Sequence, residues 1–389
     1  MPYPSFCPNP ACSNHLTPEP EWLVRFGSYP TAAHGAVQRY RCRACGKTVS
    51  EQTESLHYFA KRRLPLEEIW QSFVGGASLR EVARRYRISV MALQNGMLRL
   101  GRQAMAAQLI LLSQLHPRSR IVFDGLRSFL TSQDFPCDLT TVVAREGEVI
   151  LSMAHSVFRR GGTMSKAQQR RRRRKEAVWR PAKGSMIGDI YRLVSEIWDY
   201  LRPRADRPGV IDTDEHPLYH RVLSADPPAG HYRSGELFSH IRTPGSAPRT
   251  FDNPLFPVNY VDRLLRHRVK EHTRETIAFG RNATLQMHRA WIFAYDHNCT
   301  RAYRVKRPEL GVHAEQSAVA PEVVDELGRS FFTRRFRLRG CAVPETIRRV
   351  WMGELPTPPV RWKAGQRGTS VRIPAFARRR VAEAYQQAC

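Results

Sequence analysis

Apolar positions recur at two different spacings along this chain, and the change of spacing divides it. Between residues 64 and 105 they repeat every three to four positions, as in helices, and one such face comprises Leu66, Ile69, Trp70 and Phe73. From residue 120 the pattern changes to apolar runs typical of strands: "RIVFDGLRSFL", which we expect to end in Asp124, "DLTTVVARE", "EVILSMAHSVF", "GVIDTD" and "ELFSHIRTP". The second and third runs flank Glu146-Gly147 and predict a hairpin, and a helical stretch from Ser185 to Leu201 precedes the fourth. The pattern predicts a multidomain α/β protein with helices ahead of a mixed sheet.

Caps and turns predict a helix-turn-helix in the first of these regions. Gly75-Gly76 ends one helix, and Ser78-Leu-Arg-Glu81 is a capping-box pattern at the start of the next. "YRIS" then makes a tight turn before Ser89 begins a third helix. Two helices joined by such a short turn are the helix-turn-helix layout, and the plainer alternative is a three-helix packing module.

The last of these helices carries side chains suited to DNA. We expect it to present to a groove Met91, Gln94, Asn95 and Arg99. The amides of Gln and Asn can read adenine edges. Guanidinium groups suit phosphates, and the candidates for that contact are Arg84, Arg85 and Arg87.

The charge balance points to the same partner. The chain has 62 Lys and Arg against 35 Asp and Glu, a formal net charge of +27. Such an excess indicates a polyanionic partner. Nucleic acid is favoured over an anionic membrane surface, because neither a basic amphipathic helix nor a lipidation motif is evident. A membrane-spanning run and a signal peptide are also not apparent, so we expect a cytoplasmic protein associated with the nucleoid through DNA.

Basic residues are concentrated in two further stretches. An insertion near residues 160–183 contains "QQRRRRRKEAVWRP", with Arg170, Arg171, Arg172, Arg173 and Arg174. We interpret it as a mobile loop that grips phosphates without sequence preference. The basic, Pro-rich region from residue 306 to 389 suits either DNA contact or packing on the core, and both alternatives stay open.

Four cysteines are paired by short spacings near the N-terminus. Cys7 and Cys12 enclose four residues, and Cys42 and Cys45 enclose two. Two thiolate pairs on tight turns predict a structural zinc ribbon. Because the first gap is unusual, His15 or His34 can replace one cysteine. The remaining cysteines are scattered and suggest buried apolar positions or a free tail thiol: Cys137, Cys299, Cys341 and Cys389.

Acidic residues stand at the ends of two predicted strands. Asp124 belongs to the first, while Asp212, Asp214 and Glu215 follow the fourth. Carboxylates on neighbouring strands stay close only if a cation neutralises their repulsion. Mg²⁺ or Mn²⁺ held there can activate an oxygen nucleophile at a phosphodiester. The strand and helix order suggests a ribonuclease H-like mixed sheet.

Taken in order, these pieces resemble the DDE transposases of bacterial insertion sequences, close to the insertion-sequence-one type. "GAVQRYRCRACGKTVS" resembles the family's Arg-Tyr-x-Cys-x-x-Cys-x-Lys-Thr, and the helix-turn-helix follows it. "DGLRSFL" resembles Asp-x-x-Trp-Ser-Tyr, with Arg127 in place of Trp, and "TDEHPLY" resembles Thr-Asp-Gly-Trp-Pro-Leu-Tyr. "LRHRVKEHTRET" resembles the basic helix after the third acid. The resemblance covers roughly residues 5–300.

The resemblance implies strand cleavage at element ends and strand transfer into target DNA, without a covalent enzyme intermediate. It implies Asp124 and Asp214 as ligands of catalytic Mg²⁺ or Mn²⁺. We expect double-stranded DNA as partner, both element ends and target, and a homo-oligomer assembled on it. Asp212 shares a strand face with Asp214 and can serve as a neighbouring carboxylate, whereas Glu215 suits a helix cap.

The resemblance gives two positions for the third acid. In "PVNYVDRLLRHRVKEHTRET", aligning the family's Glu-Arg step selects Asp262-Arg263, while a gap-free alignment puts Asn259 in the acid's place. Both positions lie on one helix face. We assign Asp262 as the third ligand, with Asn259 as its neighbour or substitute.

Four domains are therefore predicted: a zinc ribbon over residues 1–54, a helix-turn-helix over 55–115, a catalytic domain over 116–305 and a basic C-terminal region over 306–389. The predicted function is that of a transposase. The first alternative is a sequence-specific DNA-binding regulator whose nuclease core is degenerate. The second is a nuclease or Holliday-junction enzyme on the same fold, which would not need a ribbon and a helix-turn-helix to recognise element ends.

Overall fold

Two β-sheets of different size organise the chain. The computed structural model describes residues 3–115, 119–197, 209–224, 238–273, 278–338 and 342–360. The smaller sheet has three strands and the larger has five. The protein is a mixed α/β chain, as the apolar pattern predicts.

The smaller sheet is antiparallel and holds the N-terminal cysteines. Its strands are β1 (Leu23–Thr31), β2 (Gly35–Cys42) and β3 (Thr48–Ser50), followed by the short helix α1 (Glu51–Glu54). Its apolar cluster is separate from the main core and includes Trp22, Tyr40 and the buried cysteines. So small a cluster cannot stabilise a domain by burial alone.

The predicted helices α2 (Leu66–Val74), α3 (Leu79–Arg85) and α4 (Val90–Gln114) follow. The capping box at Ser78 is present, since its hydroxyl accepts from the backbone N–H of Glu81 and the Glu81 carboxylate accepts from the N–H of Ser78. Ser89 caps α4 through the N–H of Ala92. The turn between α3 and α4 spans four residues, as the pattern predicts.

Helix α4 is much longer than a groove-reading helix needs to be. Of residues 103–112, all but Ile110 are buried. This half packs against α9 (Ala283–Cys299), which is buried along almost its whole length. Gly101 permits the close approach, because a Cβ there would lie 2.5 Å from Cδ2 of His288. The helix-turn-helix region and the large sheet therefore share one apolar core.

The larger sheet is mixed, with the order β6-β5-β4-β7-β8. Its strands are β4 (Arg120–Leu130), β5 (Ser132–Ala144), β6 (Ile150–Val157), β7 (Gly209–Asp214) and β8 (Phe238–Thr243). β4, β5 and β6 pair antiparallel, and β7 and β8 run parallel to β4. The hairpin around Glu146-Gly147 is confirmed. The expectation that the first strand ends in Asp124 is wrong, since β4 continues to Leu130.

Helices cover this sheet. They are α5 (Lys166–Glu176), α6 (Ser185–Ile197), α7 (Pro217–Leu223), α8 (Phe256–Arg268), α9, α10 (His313–Gln316), α11 (Pro321–Phe331) and α12 (Glu345–Met352). The described part of helix α6 extends to Ile197, and the remainder of the helical stretch predicted to Leu201 lies outside the described residues.

The described part of the C-terminal region packs on the core. Phe331, Val350 and Trp351 are buried, and α12 packs against α6. Of the two alternatives for this region, packing applies up to residue 360. Cys341, Cys389 and the basic stretches beyond residue 360 lie outside the described residues.

Candidate functional site

The parallel pairing of β4 and β7 brings two of the predicted acids level with each other. The register pairs Ile121 with Ile211 and Val122 with Asp212. Asp124 and Asp214 each lie two residues beyond that last pair. The Asp124 carboxylate accepts from the N–H of Gly125 at 2.7 Å, and the Asp214 carboxylate from the N–H of His216 at 2.9 Å.

Helix α8 supplies the third predicted acid. This helix packs against β4 and β5, and its buried face includes Val258, Val261, Asp262 and Leu265. Asp262 is 9 % exposed, and its Oδ1 is buried without a hydrogen-bond partner among the described residues. Asn259, one turn earlier on the same face, is only partly buried.

The charges of these carboxylates act on one another. The pKa of Asp124 is raised to about 7, mainly by burial and then by the charges of Asp214 and Asp138. The N–H of Gly125, which donates to this carboxylate, opposes the rise only in part. Burial, and then the charges of Asp124 and Asp138, raise the pKa of Asp262 well above its usual range. The described residues therefore compensate the negative charge of this group only in part.

The charges of four carboxylates act on Tyr219 of α7. It is 1 % exposed, and its hydroxyl has no hydrogen-bond partner among the described residues. Its pKa is raised well above its usual value by burial and then by four carboxylates, those of Asp138, Asp124, Asp214 and Asp262. We call these four residues the carboxylate cluster.

Asp138 is the member that sequence reasoning missed. It lies on β5, is 2 % exposed, and accepts from the Thr140 hydroxyl at 2.9 Å. Its carboxylate reaches over Gly125, where an added Cβ would lie 2.6 Å from Asp138 Oδ2. The available signal was an acid at the start of the run "DLTTVVARE", because a buried carboxylate needs a partner.

Three arginines lie close enough to the carboxylate cluster to offset part of its negative charge. Burial raises the pKa of Asp262, and the charges of Arg266 and Arg249 partly offset this rise. The charge of Arg127 likewise offsets part of the rise that burial causes in the pKa of Asp138. Arg127 and Arg249 are exposed. Their position suits contact with an anionic substrate beside the acids.

Asp212 has a different role from Asp214. It is fully buried and forms a two-point ion pair with Arg120 of β4, with 2.7 Å between Arg120 Nη2 and Asp212 Oδ1. Its charge is thus already neutralised within the sheet. Glu215 is exposed and does not cap α7, so that expectation is wrong: the His216 side chain accepts from the N–H of Leu218 instead.

The predicted zinc ligands come together as a compact group. Cys7 Sγ lies 3.4 Å from Cys45 Sγ, and Cys12 Sγ lies 3.7 Å from Cys42 Sγ. Tetrahedral zinc with bonds of about 2.3 Å would hold its sulfurs about 3.8 Å apart, whereas a disulfide requires about 2 Å. The four thiols are free, and all lie within 4.8 Å of one another. This group could hold a metal ion.

The environment of the thiols is consistent with ligation. Burial raises the pKa of Cys7. Burial also acts to raise the pKa of Cys45, but the N–H of Lys47 and the neighbouring thiols outweigh it and lower that pKa to about 7. The two histidines considered as substitutes are elsewhere. His15 Nδ1 lies 2.7 Å from the Cys7 carbonyl oxygen, and the ring of His34 lies 6.1 Å from that of His57, tilted by 58°.

A metal site of three or more His, Cys, Asp or Glu needs ligand atoms that lie close to one another. Among the described residues, the four cysteines are the one such group whose ligand atoms all lie within 4.8 Å of one another. The members of the carboxylate cluster interact electrostatically but do not all approach that closely. A metal held by them would need the carboxylates to turn inward.

Most of the residues that were predicted to contact DNA lie at the protein surface, with one exception. Arg84, Arg85, Arg87, Met91 and Asn95 are exposed, and Gln94 is partly exposed. Arg99 does not point outward: it is partly buried and donates to the Leu56 carbonyl oxygen at 3.1 Å. That expectation is wrong because residues 55–65 cover this side of α4.

The arginine run is helical in the described structure, not the mobile loop that its charge suggests. Ser165 caps α5, and buried Asp134 of β5 anchors the helix through Arg171 at 2.9 Å and Lys175 at 2.8 Å. Arg172 donates to the Arg160 carbonyl oxygen at 2.7 Å. The arginines that remain exposed are Arg170, Arg173 and Arg174.

Comparison with known proteins adds no family to this picture. No protein-family model matches the chain, and no curated protein matches it significantly. Among the described residues, no helix has the length and apolar character needed to cross a membrane.

Proposed function

We propose that the protein is a transposase that binds element-end DNA and catalyses metal-dependent strand cleavage and strand transfer. The observation that carries the proposal is the carboxylate cluster, in which Asp124 of β4, Asp214 of β7 and Asp262 of α8 converge from distant parts of the chain. Their order and element types match the Asp-Asp-acid pattern that the resemblance implies.

The larger sheet supports a ribonuclease H-like core. Such a core has three antiparallel strands, with two further strands running parallel to the first on its other side. The order β6-β5-β4-β7-β8 and its strand directions agree with that layout.

The donor set suits a hard divalent cation. Mg²⁺ and Mn²⁺ prefer carboxylate oxygens, and Asp262 offers a buried Oδ1 without a hydrogen-bond partner among the described residues. Asp124, Asp214 and Asp262 would hold the ion. When bound, it supplies Lewis-acid activation of the phosphodiester and of the attacking oxygen.

Within the protein, Arg127 and Arg249 are placed to orient the DNA backbone beside the acids. Asp212 is assigned to the sheet rather than to the metal, because Arg120 already neutralises it. Asp138 lies close enough to Asp124 and Asp262 to add negative charge to the site. We therefore infer that it strengthens cation binding from the neighbouring strand.

The N-terminal parts of the chain support recognition of DNA. We propose that Cys7, Cys12, Cys42 and Cys45 hold a structural Zn²⁺ and that the helices α3 and α4 form the helix-turn-helix that binds element ends as part of an oligomer. The exposed arginines of α3 and α5 supply phosphate contacts that do not depend on sequence.

The test is cleavage of a duplex that carries the DNA flanking the coding sequence. Wild-type protein with Mg²⁺ should nick it, and Asp124→Asn should bind it equally well but lose at least about a hundredfold in cleavage rate. Asp325→Asn, an exposed acid on α11, is the matched control and should cleave normally. Normal cleavage by Asp124→Asn would refute the proposed site.

A DNA-binding regulator with a degenerate core is the second candidate. The observation that favours it is that the carboxylates do not all approach within metal-binding distance of one another, whereas the cysteines do. Wild-type protein that binds the flanking DNA but cleaves it with neither Mg²⁺ nor Mn²⁺ would select this candidate.

A further inference from the structure

A cationic cavity lies away from the carboxylate cluster, between α4, residues 56–66 and the C-terminal segment. Its volume is about 400 Å³, within the range of small-molecule pockets. Of the described residues, five with cationic side chains line it: Lys61, Arg62, Arg99, Arg102 and Arg335. No carboxylate of the described residues contributes to its lining. A cavity of this charge selects an anion.

Among the described residues that line the cavity, Arg102 has no carboxylate to pair with. Its Nε and Nη2 are buried without a hydrogen-bond partner among the described residues. Burial, and then the charge of Arg99, lower its pKa only to about 10, so the guanidinium stays protonated at neutral pH. A buried cation without an anion is costly. A ligand that brings the missing negative charge explains its placement.

Arg99 and Arg102 both line this cavity. Arg99 donates Nη1 to the Leu56 carbonyl oxygen, and a guanidinium group has further donors beyond that one. Both residues lie on α4, one turn apart, so the helix holds them in fixed positions. Two neighbouring guanidinium groups are suited to the tetrahedral oxygens of a phosphate.

Aromatic rings form the remaining walls. Trp351 is 5 % exposed, and its ring centroid lies 5.8 Å from Cζ of Arg102. Phe59 also lines the cavity, yet it is 61 % exposed and has a φ of 53°. A bulky residue in that backbone conformation is strained, and such strain is concentrated at binding sites. A large ring held out at the cavity suits stacking on a planar ligand.

We propose that this cavity binds a single nucleotide unit, with its phosphate on Arg99 and Arg102 and its base against Phe59 and Trp351. The unit can come from a free nucleotide or from one nucleotide of a DNA strand, since both present the same phosphate and base. The proposal goes beyond the transposase function and does not depend on it, because binding here needs no divalent cation and no cleavage.

Direct binding tests this on the full-length protein in buffer without Mg²⁺ or Mn²⁺. The probes are thymidine 5′-monophosphate, thymidine, inorganic phosphate and a short 5′-phosphorylated thymidine oligonucleotide, each titrated by calorimetry. The monophosphate or the oligonucleotide should bind at least about tenfold more tightly than thymidine or inorganic phosphate. Binding of the monophosphate alone assigns the pocket to free nucleotides, and binding of the oligonucleotide assigns it to DNA strands. Inorganic phosphate binding as tightly as both would overturn the nucleotide assignment.

Arg102→Met is the diagnostic variant. It should weaken binding of the favoured probe at least about tenfold, and it should raise the melting temperature of the ligand-free protein, because a buried unpaired charge is removed. Arg307→Met, an exposed arginine outside the cavity, is the control and should change neither quantity. Unchanged binding in Arg102→Met means that the cavity is not the site.

Phe59→Ala keeps the test decisive if Arg102→Met fails to fold. Phe59 is exposed, so its loss should leave the fold intact. The variant should bind inorganic phosphate as the wild type does and lose about fivefold or more of the affinity for the nucleotide probe. Equal loss for both probes, or no loss for either, would overturn the assignment of the base to this wall.

Discussion

At the scale of single residues, an ion pair separates the two acids of β7. Asp212 and Asp214 are two positions apart, and strand periodicity alone puts them on one face. Arg120 neutralises Asp212 across the β4–β7 pairing, whereas Asp214 lies near Asp124 and Tyr219. The distinction matters because Arg120 already compensates the charge of Asp212, which leaves Asp214 as the acid of β7 that could bind a cation.

Replacing Asp212 tests this assignment by stability rather than by cleavage. Asp212→Asn leaves Arg120 without its anion, and we expect the free energy of unfolding to fall by about 2–3 kcal/mol. This is less than the usual cost of breaking a buried ion pair, because the Arg120 side chain is 33 % exposed and solvent screens its charge. Urea denaturation measures it. At temperatures well below its melting temperature, the variant should still cleave DNA. A stable variant that has lost cleavage would make Asp212 the metal ligand.

The choice between Asp262 and Asn259 also belongs to this scale. Asp262 is buried and electrostatically coupled to Asp124, whereas Asn259 is partly buried and uncharged. Asp262→Ala should therefore abolish metal-dependent cleavage, and Asn259→Ala should reduce it by about tenfold or less. Both variants should bind duplex DNA as the wild type does. If Asp262→Ala cleaves at the wild-type rate while Asn259→Ala does not, the gap-free alignment is the correct one.

At the scale of secondary-structure elements, α5 shows how a run of like charges becomes a helix. Five consecutive arginines repel one another in water. Here Asp134, buried on β5, accepts ion pairs from Arg160, Arg171 and Lys175, and Glu176 pairs with Arg159 at 2.7 Å. These acids bind one face of α5 to the sheet and leave the other face in solvent. The helix therefore presents a basic ridge in a fixed position.

The exposed face of α5 should account for part of the salt dependence of DNA binding. Replacing Arg170, Arg173 and Arg174 together by Gln should reduce the slope of log affinity against log salt by about 2–3, which is close to one unit per lost phosphate contact. Fluorescence anisotropy with a random duplex at several salt concentrations measures this slope. A control of equal charge change replaces Lys306, Arg307 and Arg329 by Gln. Equal slopes for the two triple variants would show that α5 makes no specific contribution.

At the scale of the whole molecule, two apolar cores of unequal size coexist. The ribbon core is a small separate cluster around the cysteines, while one continuous core joins α4, the large sheet, α9 and the described C-terminal helices. Residue 115, the predicted boundary between two domains, coincides with the end of α4. The burial of α4 against α9 shows that this boundary does not divide the core.

Loss of zinc should therefore unfold the ribbon and leave the rest of the protein folded. Wild-type protein should contain about one zinc per chain, and Cys42→Ser should lose it. Hydrogen exchange should then accelerate in β1–β3 and stay slow in β4–β6, since the larger core does not depend on the metal. Cys137→Ala, a buried thiol outside the group, should retain zinc. A zinc-free wild type with a protected ribbon would contradict the prediction.

Local patterns in the sequence determined the elements. The spacing of the paired cysteines, the capping box at Ser78 and the hairpin at Glu146-Gly147 all depend on residues that are neighbours in the chain. Such patterns specify local hydrogen bonds and side-chain periodicity without reference to distant residues. For that reason the α/β class, the cysteine group and most strands and helices were predictable.

Contacts between distant residues decided the rest. Asp212 is neutralised by an arginine 92 positions away, Asp134 binds a helix about 40 positions later, and Asp138 joins the carboxylates only because Gly125 leaves room for it. The outward or inward direction of Arg99 depends on residues 55–65 covering α4. No periodicity encodes such pairings, because burial and charge compensation arise only when separate elements pack together. The sequence by itself identified Asp124, Asp212, Asp214 and Asp262 as candidates, whereas the tertiary structure added Asp138 and paired Asp212 with Arg120.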